Sequence, residues 1–134
     1  MTRSSSCLIS FLTISLFFTT CFSFPKLHVT ITNTLPGPDP PLILHCKSKD
    51  NDLGIHTVLL NQSYDWSFRM NLIGSTLFSC DFVWGKQHAG FVVFSKDIAK
   101  KLHNGEFMYQ ARGDGFYFNV NGDWQKVQDW SWSY

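Results

Sequence analysis

Cysteines, histidines and carboxylates are the side chains here that could do chemistry, and their spacing points to display rather than reaction. The histidines are His28, His45, His56, His88 and His103, and none has the His-x-x-x-His or Cys-x-x-Cys spacing of a zinc site. Two of them could serve as an acid–base pair for RNA cleavage only beside a lysine-rich groove, and no such run occurs. His45 adjoins Cys46, yet neighbours in a strand face opposite ways and cannot form a nucleophilic dyad. Asp50-Asn51-Asp52-Leu53-Gly54 looks superficially like a calcium loop. The bidentate Glu is missing, and Asn61 stands at the twelfth position from Asp50. No metal site, cofactor or catalytic residue is implied.

Three features remain as candidate sites. The first is the polar run Lys47-Ser48-Lys49-Asp50-Asn51-Asp52-Leu53-Gly54 that follows Cys46. Its Asp, Asn and Ser side chains bond their own backbone, so residues 47–54 read as a solvated loop. Lys47, Lys49, Asp50, Asn51 and Asp52 form a candidate recognition loop, because polar loops on rigid scaffolds commonly carry binding. A structural Asx-turn is the alternative role for the same residues. The second is Asn61-Gln62-Ser63, a glycosylation acceptor at a predicted turn, with Asn61 as the glycan-bearing residue. The third is Trp124, Trp130 and Trp132, which could stack on sugar rings or, as the competing role, pack in the core.

The N-terminal residues read as an export signal. Arg3 gives a positive start, residues 8–18 are mostly apolar, and Cys21 and Ser23 are small residues suited to cleavage before Phe24. The apolar stretch is far shorter than the roughly 20 residues of a membrane span. Removing residues 1–23 leaves 111 residues, 24–134, enough for one domain with one core. Cys7 and Cys21 leave with the signal, so Cys46 and Cys80 remain. An even count in an oxidising compartment argues for a bridge between them, contributing about 3–4 kcal/mol on the chain-entropy model. Loss of Arg3 leaves 10 basic and 10 acidic residues. A balanced chain without a basic stripe is a poor binder of nucleic acid or anionic membrane.

The elements that position these residues are strands. Leu27, Val29 and Ile31 alternate with His28, Thr30 and Thr32, until Pro36-Gly37-Pro38-Asp39-Pro40-Pro41 stops regular structure. Leu42, Leu44 and Cys46 share a face, as do Tyr64, Trp66, Phe68 and Met70, and then Thr76, Phe78, Cys80, Phe82 and Trp84. Both cysteines thus point inward, as an inter-sheet disulfide requires. Residues 91–94 form a continuous apolar run, consistent with a strand buried on both faces. Ser95 caps a predicted helix over 95–102. Gly113-Asp114-Gly115 and Asn121-Gly122 mark the C-terminal turns. About eight short strands, one short helix and no βαβ rhythm predict an all-β, antiparallel β-sandwich.

Several of these blocks together resemble the plant self-incompatibility S1 family, the S-protein homologues. They are Val29-Thr30-Ile31-Thr32-Asn33, the run from His45 through Gly54, Tyr64-Asp65-Trp66-Ser67-Phe68, Thr76-Leu77-Phe78-Ser79-Cys80-Asp81-Phe82 and Gly113-Asp114-Gly115-Phe116-Tyr117. The resemblance implies a small secreted β-sandwich without enzymatic activity, akin to pistil ligands that act through a pollen-side receptor. One departure stands out: members commonly carry two further cysteines ahead of the C-terminal Gly turn, and residues 104–116 contain none. Tyr109 occupies a position where the pattern often has Trp, so the C-terminal hairpin is expected to rely on aromatic packing alone. The expectation is a secreted, monomeric extracellular ligand for a cell-surface or apoplastic protein receptor, with no membrane anchor. The competing class is a secreted carbohydrate-binding module or hydrolase that uses the aromatic C-terminal region.

Overall fold

The computed structural model describes residues 25–71 and 73–132, so the expected signal, residues 1–23, lies outside the described residues. In chain order the elements are β1 (Lys26–Asn33), β2 (Leu42–Lys47), β3 (Asp52–Val58), β4 (Ser63–Arg69), β5 (Phe78–Trp84), β6 (Gln87–Phe94), α1 (Lys96–Ala99), β7 (Glu106–Arg112), β8 (Gly115–Val120), β9 (Asp123–Gln128) and β10 (Ser131–Trp132). They form two five-stranded sheets, the first ordered β4-β1-β7-β8-β9 and the second β10-β6-β5-β2-β3. Period-two patterning sets which face each strand buries. β2 and β7 alternate buried and outward residues along their length, and β1 does so from Leu27 to Asn33.

The all-β sandwich agrees with expectation, with refinements. Ten strands appear among the described residues where about eight were expected, because the tryptophan-rich C-terminus adds β9 and β10. β1 pairs with β7 in parallel, while every other pairing among the described residues is antiparallel. A parallel neighbour is reached by crossing between sheets rather than through a hairpin. The helix is one turn long, and the predicted cap holds: Ser95 Oγ accepts from Ile98 N at 3.2 Å. The run 91–94 is not buried on both faces, for Val92 is 39% exposed and points outward while Val93 and Phe94 are buried.

The disulfide joins Cys46 and Cys80 as expected, but within the second sheet rather than between sheets. The two residues lie directly opposite each other on β2 and β5, with Cα atoms 4.0 Å apart. Inward-facing side chains are common to both arrangements, so alternation alone could not separate them. Contact between the sheets falls instead to aromatic rings. Phe116 of the first sheet packs against Phe82 and Phe91 of the second, with centroids 4.5 and 5.0 Å away. Tyr109 stacks on Phe118 at 4.7 Å and donates its hydroxyl to the Val93 carbonyl at 2.7 Å, a bond from β7 to β6. The C-terminal hairpin therefore leans on aromatic packing together with this one buried hydrogen bond. Burial pushes the Tyr109 phenol well above its ordinary range, so it stays a donor.

Asn33, at the end of β1, is the buried polar side chain of the described core. Its Nδ2 donates to the Val58 carbonyl at the end of β3, and its Oδ1 accepts from Leu35 N, both at 2.9 Å. Its own amide donates to Gln62 O, and its carbonyl accepts from Asn61 N. Asn33 therefore ties the first sheet to the second and to the crossover between β3 and β4. Replacing Asn33→Ala strands the Val58 carbonyl and the Leu35 amide in the interior. Each unpaired group costs about 1–3 kcal/mol, so the variant should lose about 2–6 kcal/mol in urea unfolding; an unchanged midpoint would refute the keying role.

Candidate functional site

A cleft of about 310 Å³ opens at the end of the sandwich where β2 hands over to β3 and β4 to β5. One wall is the turn 48–51 and the other is Asn71 with Ser75, Thr76 and Leu77, with Phe68 and Phe78 on the floor. Four residues suffice for the first turn because its polar side chains satisfy the backbone locally. Ser48 N donates to Asn51 O at 2.7 Å, and Asn51 N donates back to Ser48 Oγ at 3.1 Å. The second wall is built around Asn71. Its Oδ1 accepts from Ser75 N at 2.8 Å, its Nδ2 donates to Ser75 Oγ at 2.9 Å, and its amide donates to Thr76 Oγ1 at 2.9 Å.

The structure divides the candidate recognition residues into two groups. Lys49, Asp50 and Asn51 line the cleft. Lys47 and Asp52 do not lie in a loop: they end β2 and begin β3, and they pair across the ladder. Asp52 braces the hairpin, for its Oδ1 accepts from Gly54 N at 2.8 Å and lies 2.6 Å from His45 Nε2. The Gly54 amide first, and then His45, hold the Asp52 carboxyl below its ordinary range. Gly54 supports this geometry at φ +83°, a region that glycine enters without steric cost. The polar run therefore shortens to residues 48–51, because the Asx bond of Asp52 begins a strand instead of prolonging a loop.

Sequence reasoning missed the second wall. Arg69, Asn71, Ser75 and Thr76 line the cleft, yet Gly74 reads only as a break between strands. The available signal was Asn71 followed by Gly74-Ser75-Thr76, an Asn with hydroxyl residues within reach of its amide. Asn61 is exposed at the turn between β3 and β4, in the left-handed region at φ +66°. The three tryptophans do not share a face. Trp130 packs on Phe116 and Trp84 and donates Nε1 to Arg112 O at 2.8 Å. Trp124 and Tyr117 lie beneath the Arg112 guanidinium, 5.7 and 4.0 Å from the ring centroids. Trp132 is 62% exposed on β10, which pairs with β6.

Asn71→Ala removes the two side-chain hydrogen bonds to Ser75 that shape one wall and leaves the backbone bond to Thr76 Oγ1. Those bonds are solvent-facing, so the expected loss is only about 1 kcal/mol of stability, with faster hydrogen exchange at the Ser75 amide. Unaltered exchange there would show that the wall does not depend on Asn71.

The model of the plant self-incompatibility protein S1 family matches residues 28–130. S-protein homolog 5 of Arabidopsis thaliana is 50% identical over 66 residues, covering 49% of this chain and 50% of that protein. S-protein homolog 24 of the same plant is 32% identical over 107 residues, covering 80% of this chain and 61% of that protein. The chain spans about half the length of the first curated relatives it matches. A solved structure of self-incompatibility protein homologues, described as small, highly stable, secreted proteins from plants, shares the fold. Its TM-score is 0.64 at 22% identity, covering 80% of this chain and 96% of that one. The chain belongs to the plant self-incompatibility protein S1 family.

Proposed function

We propose that this chain is a secreted extracellular ligand that engages a protein receptor through the cleft between residues 48–51 and the wall of Asn71 and Ser75–Leu77, without catalysing a reaction. The observation that carries this reading is the pair Lys49 and Asp50. Both side chains are held on a turn whose backbone is fixed by Ser48 and Asn51, and neither meets a partner among the described residues. Opposite charges presented on a fixed turn suit specific recognition, because they steer encounter and reject mismatched surfaces. The cleft lining holds one carboxylate, Asp50, where glycoside hydrolysis ordinarily uses two. Family membership and the secreted relatives support the same reading.

Secretion follows cleavage before Phe24, and Asn61 carries a glycan in this reading. The acceptor lies at the far end of β3 from the turn 48–51. A seven-residue strand spans roughly 20 Å, so the sugar leaves the cleft open. Glycosidase treatment of protein secreted from plant cells should increase its gel mobility, and Asn61→Gln should abolish that change.

Labelled mature protein should bind saturably to pollen, pistil or root cells and be displaced by unlabelled protein. Lys49→Ala with Asp50→Ala should weaken that binding at least about tenfold while stability moves by no more than about 0.5 kcal/mol, as for exposed sites. Absence of displaceable binding on every cell type would overturn the ligand reading. Binding unaffected by the double substitution would overturn the assignment of the cleft.

A further inference from the structure

His28 of β1 stands on the outer face of the first sheet, between carboxylates from both neighbouring strands. Its Nε2 lies 2.8 Å from Asp65 Oδ2 on β4, and its Nδ1 lies 3.0 Å from Glu106 Oε1 on β7. A neutral imidazole has one N–H and one lone pair in either tautomer. Between two carboxylates it donates to one and turns its lone pair on the other. The imidazolium donates at both nitrogens and satisfies both contacts at once. We propose that His28 is a proton-dependent clamp, which as imidazolium ties β4 and β7 to β1 and on losing its proton releases one of the two carboxylates.

Its placement gives the clamp leverage. Among the described residues β4 is an edge strand whose ladder partner is β1, and β1–β7 is the parallel pair of the sandwich. Parallel ladders are slightly weaker per residue, so a side-chain tie across this junction adds to the least secured pairings. The charged groups facing His28 come from three strands. Asp65 and Arg69 lie on β4, Lys26 on β1 and Glu106 on β7, while Ser67, Thr30 and Met108 complete the surroundings. Lys26 and Arg69 sit opposite each other one step along the face. The two carboxylates are the groups in direct contact with the ring.

Partial burial disfavours the charged ring. The hydrogen bonds to Glu106 and Asp65, with the charges of both carboxylates, outweigh it and raise the His28 pKa above 6.5. The sign for stability follows from a raised folded-state value. The stabilisation is complete below 6.5 and is lost as pH climbs through the raised value. The β4 edge is therefore tightest in mildly acidic medium and loosens as the medium turns alkaline.

The test is a pH titration of the mature protein by nuclear magnetic resonance of the histidine rings. The His28 midpoint should lie above the ~6.5 of an unperturbed histidine, and Asp65→Asn and Glu106→Gln should each lower it. Amide protection factors along β4 should be several-fold higher at about pH 5.5 than at about pH 8.5, either side of the histidine range. His28→Gln should remove that difference. A midpoint at or below the unperturbed value, midpoints indifferent to both carboxylate variants, or pH-independent protection in β4 would each overturn the clamp.

Discussion

The carboxamide of Asn33 is the point at which two stacked sheets are keyed to each other. Apolar burial drives the sheets together but is non-directional, so by itself it tolerates sliding between them. The bond from Asn33 Nδ2 to Val58 O removes that freedom, since a shift would leave both groups unpaired in the interior. The Asn33 backbone also exchanges hydrogen bonds with Asn61 and Gln62, where the chain crosses from β3 in one sheet to β4 in the other. Those two strands are the adjoining edges between whose far ends the cleft opens. The side chain that keys the sheets thus sits at the opposite ends of these two strands from the cleft.

The C-terminal half shows how a β-sandwich can be closed without a second cross-link. Tyr109 joins β7 to β6 through a hydroxyl and rests on Phe118. Trp130 joins the end of β7 to the ring of Phe116 as the chain passes from β9 to β10. Large rings with one polar tip are suited to this place, because the body fills the inter-sheet space and the tip satisfies a carbonyl. Together they tie both sheets to the last two strands.

Much of this was legible in the sequence, and the reasons differ by residue. Alternation at Leu42, Leu44 and Cys46 reports which face is buried, and Asn121-Gly122 reports a hairpin because both residues accept positive φ, as both do here. Alternation does not report which inward neighbour a cysteine meets, so the intra-sheet bridge had to come from strand order. His28 reads as one more outward histidine until β4 and β7 bring Asp65 and Glu106 to its flanks. The wall around Asn71 was hidden for a similar reason. Its bonds are local, but its role exists only opposite the turn 48–51, a juxtaposition set by pairing distant in the chain.

The position of the Cys46–Cys80 bond has a topological consequence. Both walls of the cleft, its aromatic floor and Asn61 all lie between the two cysteines, inside one covalent ring whose ends are 34 residues apart. A single peptide-bond cleavage anywhere in that ring leaves both fragments joined through sulfur, with β2 and β5 still bonded. Proteolytic nicking of an exposed turn therefore cannot by itself detach either wall. Detaching a wall takes a second covalent event, either reduction of the disulfide or another cut within the ring.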